Sequence, residues 1–553
     1  CNKLKKIIAD INHLYVSDER SFMNNGILVK NQFVNEKVLS YGQGSKERAE
    51  LEIELAKIKN SFADIPIVIG GKEIRTGNKG KCIFPHNKNK IIGEYHKAGK
   101  KEALMAVEAC IEAKEKWENM PWKSRAAIYL RAAELAAGPW RAKLNAATML
   151  TQSKTYKQAE IDSACELIDF FRSNVECLKA IYMEQPMSSE GIWNRTEYRP
   201  LEGFIFAVSP FNFTSIAANL PSAPAIAGNT VVWKPASNTV YSSYVVYQLL
   251  KEAGLPDGVI NFVPGNADEI SSVILNRTEL SGIHFTGSTK VFQDMWKTVG
   301  NNIDIYKTFP RLVGETGGKN YIIVHNSANL NSAARGLIEG AFEYQGQKCS
   351  AASRAYIAKS VWQEVRELLL QKASRIKVGD IEEADTFMGA VIDQKSYNSI
   401  KEYIDYIKSS EDAKIIFGGN CDDSTGYFVE PTIAVTTDPK FKTMEEEIFG
   451  PVLTVYIYED EDFMQMLSLV NDTSVYGLTG SIFSKDRYII EQAERILVNT
   501  AGNFYINDRP TGAVVGQQPF GGGRLSGTND KAGSKINLLR WVNPRVTKEN
   551  LKN

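Results

Sequence analysis

Phe204-Ile205-Phe206-Ala207-Val208 and Thr230-Val231-Val232-Trp233 are two apolar runs in a stretch, Gly203 to Trp233, that carries no charge. Each run has the length of a buried strand. Downstream, Tyr241 to Ala253 reads as a helix stopped by Gly254, with Pro256 beyond it. Val259 to Val263 reads as the next strand, Ile283 and Phe285 lie on another, and Ser288 to Val299 reads as the helix that follows. This alternation predicts a parallel sheet with helices on both faces. A second series opens at Tyr321–Val324 and runs past Phe449 to Ile506. The charge-free stretch is long enough to raise the question of a membrane span. Pro210, Pro221 and Pro224 would break a spanning helix, and Asn212, Asn219 and Asn229 would sit in lipid. It therefore reads as buried strand, loop and short helix.

Working outward, residues 1 to about 70 are mixed and charged, with Gln43–Arg48 a loop leading into a helix. Leu104, Val107 and Ile111 predict an amphipathic helix. A long helical region spans roughly Arg125 to Tyr182, interrupted near Gly138-Pro139, and carries Glu160, Asp162 and Glu166. Gln185 to Pro200 is polar and turn-rich around Gly191, which predicts a projecting hairpin.

At 553 residues the chain has room for three or four domains, or fewer large ones. Its 65 basic and 65 acidic residues balance, so it offers no electrostatic footprint for nucleic acid or an anionic membrane. Seven cysteines occur without a Cys-x-x-Cys, and no His-Glu-x-x-His is present. Neither a disulfide framework nor a metal site is indicated, and a reducing compartment fits. The chain begins at Cys1 rather than Met, which reads as a processed form. Cys1 to Tyr15 is too polar for the core of a signal peptide.

Two motifs carry chemistry. Residues 343–350 read Glu-Tyr-Gln-Gly-Gln-Lys-Cys-Ser, and residues 314–319 read Gly-Glu-Thr-Gly-Gly-Lys. A thiol, Cys349, and a carboxylate, Glu315, in glycine-rich settings point to covalent catalysis on a carbonyl through a thioester. Such a site must favour the thiolate, and the neighbouring Lys348 has the helpful sign. Gly287-Ser288, between a predicted strand and helix, suits a pyrophosphate at a helix N-terminus, although the Gly-x-Gly-x-x-Gly fingerprint is absent.

Six segments in register resemble the aldehyde dehydrogenases: Ser209–Phe213, Trp233–Pro235, Phe285–Ser288, Glu315–Lys319, Gly346–Cys349 and Glu446–Pro451. The resemblance runs from about residue 70 to the C-terminus. It implies an α/β aldehyde dehydrogenase fold: a Rossmann-like cofactor domain, an α/β catalytic domain and a small β oligomerisation unit. The expected boundaries are 1–185 and 204–317 for the NAD-binding domain with its N-terminal helical region, 318–508 for the catalytic domain, and 186–203 with 509–553 for the oligomerisation hairpin, anchor loop and tail. Phe309–Arg311, Glu343-Tyr344, Ser374–Asp380, Cys421–Asp423, Gly502–Asp508 and Thr511–Gly522 resemble more narrowly the branch that oxidises glutamate γ-semialdehyde to glutamate in proline breakdown. The long N-terminal segment and Gln158–Asp162 resemble the animal mitochondrial type, which implies the mitochondrial matrix.

By this resemblance Cys349 is the nucleophile, Asn212 and the Cys349 N–H are the oxyanion donors, and Glu315 activates water. NAD is the implied cofactor. Ser209, Pro210, Lys234, Gly287, Ser288, Glu447 and Phe449 are its implied contacts. Ser237 stands where many NAD-specific members carry Glu. Serine would not repel the 2′-phosphate of NADP, so both dinucleotides stay open, with NAD favoured by the narrower branch. Gly512 and Ala513 are the implied anchor for the substrate carboxylate, with Ser350, Phe213, Phe520 and Glu166 around the rest of a small amino-acid aldehyde. The implied assembly is a homodimer or a higher homo-oligomer, with neither nucleic acid nor membrane as partner. Two other classes remain: a non-catalytic scaffold, against which Cys349 and Glu315 both stand, and a thiol hydrolase or acyltransferase, which would leave the nucleotide motifs idle.

Overall fold

The structure is a computed structural model, and it describes residues 33–552. The expectations for Cys1–Tyr15 lie outside the described residues.

Two seven-stranded sheets organise the chain. Across the first, the strands run Arg311–Glu315, Leu280–Thr286, Phe204–Val208, Thr230–Lys234, Ile260–Phe262, Ile67–Ile69 and Lys72–Ile74. The first five are parallel, and the last two turn antiparallel at the edge. Chain order reverses at Phe204–Val208: the next strands go one way, and Leu280–Thr286 with Arg311–Glu315 go the other. This is the doubly wound order, with a crevice at the carboxyl ends beside the reversal. Phe204 to Ala207 are buried without alternation, as a parallel strand covered on both faces requires.

The second sheet runs Ala413–Phe417, Thr432–Thr436, Val452–Tyr458, Ala352–Ala358, Asn320–Val324, Thr479–Phe483 and Asn503–Ile506. All its neighbours are parallel except the first pair.

Several expectations need correction. The helix Lys100–Glu118 exists, but it buries Ala103, Ala106, Val107, Cys110 and Trp117, whereas Leu104 and Ile111 are exposed. Small residues face the sheet there because the helix lies close to it. Pro221 and Pro224 lie inside the helix Thr214–Ile226 instead of breaking it. The carbonyl that Pro224 leaves without its helical donor, Leu220 O, accepts from His284 Nδ1 at 2.8 Å, and the last carbonyls are taken by Asn229 Nδ2 at Pro224 O, Trp117 Nε1 at Ala225 O and Arg125 Nε at Ile226 O. The helical region breaks at Gly138 as expected, and again at Ser153, which is left-handed, before a π-helical turn at Glu160–Cys165. The hairpin expected around Gly191 does not form within Gln185–Pro200. Ile192–Pro200 is one arm, and its partner is the C-terminal strand Val542–Asn550, paired antiparallel over nine residues. Among the described residues no helix is long and apolar enough to cross a membrane.

Candidate active site

The carboxyl edge of the first sheet gathers the residues singled out by sequence. Lys234 ends one strand, and Glu315 ends another. Ser209, Pro210 and Asn212 follow Val208, and Gly287 and Ser288 follow Thr286. Parallel strands end on the same side, so these positions share one edge. Trp233 Nε1 donates to Ser209 Oγ at 2.9 Å, and the Ser209 N–H donates to Lys234 O at 3.2 Å. The Gly287 N–H donates to Glu315 O at 3.1 Å. Ser288 caps the helix Thr289–Asn301, accepting from the Val291 N–H. Lys234 is buried, and burial pushes its ammonium down to about 8.

Cys349 comes from the second sheet. The helix Leu330–Phe342 ends in a tight turn where Tyr344 and Gln345 are left-handed, and the chain then passes through Cys349 into Ala352–Ala358. Asn320 Nδ2 donates to Cys349 O at 2.6 Å and to Ala351 O at 2.8 Å. Asn212 Nδ2 donates to Gln347 O at 3.0 Å, so a loop of the first sheet touches the turn before the thiol. The glycines of residues 314–319 permit close approach. A Cβ on Gly318 would lie 2.3 Å from Cys349 O, and one on Gly317 would lie 2.4 Å from Glu447 Oε2. Glu447 Oε1 accepts from the Gly318 N–H at 2.7 Å. Phe449, with φ 56°, sets its ring edge-on to Phe211 at 5.8 Å.

The groups around the thiol oppose its ionisation. Burial, then Glu315 and Glu447, push the Cys349 thiol up; the backbone N–H groups of Ser350 and Cys349 oppose them. Lys348 does not serve the sulfur. Its Nζ lies 3.4 Å from Glu343 Oε2 and 3.6 Å from Asp162 Oδ2. Burial holds the Glu315 carboxyl well above the usual carboxylate range; Lys531 opposes this and Asp530 reinforces it. Glu315 Oε2 is enclosed without a hydrogen-bond partner among the described residues. Burial likewise pushes Glu447 up to about 7, against the Gly318 N–H and Lys319.

On the other side of Cys349, Ser350 Oγ and Thr511 Oγ1 are 2.8 Å apart. This bond brings the segment that carries Gly512 and Ala513 beside Cys349. Phe213 is buried, with Lys154 Nζ 4.3 Å and Lys348 Nζ 5.8 Å from its ring centroid. Phe520 is half-buried, its backbone paired in both directions with Ala532. The next residue, Gly521, lies against Glu315: a Cβ there would be 2.8 Å from Glu315 Oε1. Glu166 accepts from Ser215 Oγ at 2.5 Å, and burial with Asp162 pushes it up to about 8. Glu160, on the same helical stretch, is turned away. Arg141, Tyr41, Asn145 and the Leu39 N–H engage it.

Sequence reasoning missed a buried charge pair. Lys154 Nζ is 2.7 Å from Asp162 Oδ2, and both are nearly or wholly buried. The same ammonium lies 4.2 Å from the Tyr344 ring centroid. The one available signal was Lys154 sitting in a break between two helices, just before the Thr155–Gln158 capping box.

Residues 74–546 match the model of the aldehyde dehydrogenase family, and the chain belongs to that family. Within it, the chain is 52% identical over 520 residues to the mitochondrial Δ1-pyrroline-5-carboxylate dehydrogenase of Dictyostelium discoideum, covering 94% of this chain and 93% of that one. Identity to the human mitochondrial Δ1-pyrroline-5-carboxylate dehydrogenase is 48% over 516 residues, covering 93% and 92%. The crystal structure of the Mycobacterium tuberculosis Δ-pyrroline-5-carboxylate dehydrogenase bound with NAD superposes with a TM-score of 0.92 at 48% identity, covering 96% of this chain and 98% of that one.

Proposed function

We propose that the chain oxidises L-glutamate γ-semialdehyde, which equilibrates with Δ1-pyrroline-5-carboxylate, to L-glutamate in proline catabolism, with NAD as acceptor. The observation that carries this reading is the Ser350–Thr511 hydrogen bond, which sets the Gly512–Ala513 loop beside Cys349; backbone N–H groups at a glycine suit a carboxylate. The relatives named above carry the same activity in their names.

The residues fit a dinucleotide. Lys234, Ser288 and Glu447 offer a cation, a helix N-terminus of a 13-residue helix and a carboxylate along one crevice. Ser209, Pro210, Gly287 and Phe449 complete its walls. When bound, NAD supplies a hydride acceptor. Cys349 first loses its thiol proton to solvent; Sγ then attacks the aldehyde carbon, and the resulting thiohemiacetal oxygen is held by the second N–H of Asn212 and the Cys349 N–H. The acyl group is then carried on Cys349 as a thioester. In its ionised form Glu315 takes a proton from the water that cleaves it, and the cleaved thioester returns Cys349 as the thiolate. Gly512 and Ala513 bind the substrate carboxylate through backbone N–H groups, Phe213 and Phe520 cover its methylene carbons, Ser350 adds a hydroxyl, and Glu166 faces the amine.

The proposed units are an NAD-binding unit (1–185, 204–317), a catalytic unit (318–508) and a ribbon with the anchor loop and tail (186–203, 509–553); over the described residues the two sheets support this division. The ribbon has two outer edges without a strand neighbour among the described residues. Such edges invite pairing, and a homodimer covers them; light scattering on the eluting protein tests it. A mitochondrial matrix location follows the animal relatives and is tested by fractionation.

The test of the activity is NADH absorbance with pyrroline-5-carboxylate, propanal and succinate semialdehyde in parallel. The proposal requires kcat/KM to be highest for pyrroline-5-carboxylate. Equal values across the three, or NADH formed only from propanal, would remove it.

A further inference from the structure

Asn35 lies far from the chemistry in sequence, in an extended strap, Phe33 to Tyr41, laid over the helical region. Its side-chain amide is fully engaged. Nδ2 donates to Asp169 Oδ2 and to Val515 O, both at 2.8 Å. Oδ1 accepts from Gln517 Nε2 at 2.9 Å. An asparagine has two N–H donors and one carbonyl oxygen, and each has a partner here.

The partners connect two walls of the site. Asp169 lies on the helix Glu166–Tyr182, one turn beyond Glu166 and on the same face. Val515 and Gln517 belong to the segment that carries Gly512 and Ala513. The Glu36 N–H donates to Asp169 Oδ1 at 2.8 Å, so the strap grips both carboxylate oxygens. Phe33 lies against Gly516, where a Cβ would meet its ring at 2.4 Å. Glu36 in turn is held by Arg141 at 2.8 Å and by Arg172 at 2.7 Å. The anchor loop is therefore pinned at two points, at Thr511 by Ser350 and at Val515 and Gln517 by Asn35, with Gly512 and Ala513 between them.

We propose that Asn35 is a specificity-determining positioning residue: it fixes the distance between the Gly512–Ala513 loop and the Glu166 helix, and so selects aldehydes that carry both an α-carboxylate and an α-amine. Asn35 touches neither substrate nor cofactor. It acts by holding two subsites in register, so its loss costs ground-state binding of the amino-acid end and leaves the chemistry at Cys349 intact. A substrate without that end feels no change. The inference rests on the anchoring reading of Gly512 and Ala513.

The test compares wild type, Asn35→Ala, Gln517→Ala, the Asn35→Ala/Gln517→Ala double variant and Ala513→Pro as full chains, with pyrroline-5-carboxylate and with propanal. For Asn35→Ala the expected result is a KM for pyrroline-5-carboxylate raised about tenfold, the factor that follows from losing roughly one good hydrogen-bonded contact. The kcat, the KM for NAD and the kcat/KM for propanal stay within about twofold of wild type. Gln517 is exposed, so Gln517→Ala leaves folding intact; it shifts the same KM in the same direction by a smaller factor, and the double variant adds nothing to Asn35→Ala. An unchanged KM in Asn35→Ala, or an equal loss of kcat/KM on both substrates, overturns the inference. Ala513→Pro removes one anchoring N–H. If it leaves the KM for pyrroline-5-carboxylate unchanged, the anchoring reading itself fails. If it raises that KM while Asn35→Ala does not, the positioning inference alone fails.

Discussion

Asn212 donates its amide to the carbonyl oxygen of Gln347, two residues before Cys349, and so ties the switch-point loop of one sheet to the nucleophile turn of the other. One N–H of the amide is thereby used, and the proposed oxyanion contact falls to the other. Asn212→Ala is expected to lower kcat by about 10²–10³, with little change in the KM for NAD. Asn212→Asp, which keeps the size but loses the donors, should fall as far. A kcat within threefold of wild type in both would dismiss the oxyanion assignment.

Glu315 disfavours the charged form of Cys349, and variants of the two should separate the two halves of the reaction. Cys349→Ala is expected to abolish NADH formation. Glu315→Gln is expected to acylate normally, giving a burst of about one NADH per subunit, and then to stall. Rapid mixing and intact-mass measurement read this directly: a burst plus an acyl adduct supports the division of labour. An undiminished steady state would assign water activation elsewhere.

The raised pKa of Glu315 also makes a stability statement. Its folded pKa lies above the unfolded value, so the folded state holds the proton more tightly. The associated stabilisation is complete below the unfolded pKa, near the usual carboxylate range, and is lost as pH rises toward the folded one. Glu315→Gln removes this loss. The Tm advantage of Glu315→Gln over wild type should therefore grow from pH 5 to pH 8. A constant difference across that range would mean that Glu315 is not held protonated.

The strands and the motifs were legible because they obey local rules. Phe204–Val208 reads as a run without alternation because helices cover both its faces. The glycines of residues 314–319 read as close approaches because only a hydrogen fits against Cys349 O and Glu447. What escaped reading depends on distant partners. Nothing local to Ile192–Pro200 indicates that its mate is Val542–Asn550. Lys348 carries the right charge beside the thiol, yet its direction is set by Asp162, distant in sequence, and by Glu343, which the turn at Tyr344 and Gln345 brings back toward it. Pro224 looks like a breaker until His284, 64 residues away in sequence, supplies the donor that Leu220 O would otherwise lack.

The Lys154–Asp162 pair is buried beneath Phe213 and Tyr344, so removing one member strands the other. Burial already pushes Lys154 down to about 8, while Lys154 and Lys348 together hold Asp162 below its usual range against burial. Asp162→Asn is expected to destabilise the fold by about 3–5 kcal/mol, read by urea unfolding. Lys154→Met combined with Asp162→Asn should recover part of that loss. If the double variant were less stable than either single one, the pair would not be the coupled unit that the geometry describes.

Ser237 bears on the choice of dinucleotide. It is exposed, three residues past Lys234, in the short turn Ser237–Thr239 that leaves the strand Thr230–Lys234. A hydroxyl there accepts a free ribose or a phosphorylated one, whereas a carboxylate would meet the 2′-phosphate of NADP with like charge. At about 4 Å and an effective dielectric near 20 such repulsion reaches several kcal/mol per unit charge, and salt reduces it for an exposed group. Ser237→Glu is therefore expected to lower kcat/KM for NADP by about tenfold or more, while the value for NAD stays within a few-fold. The ratio of the two should move back toward wild type as ionic strength rises. An unchanged NAD-to-NADP ratio at low salt would show that the ribose hydroxyl lies beyond the reach of position 237.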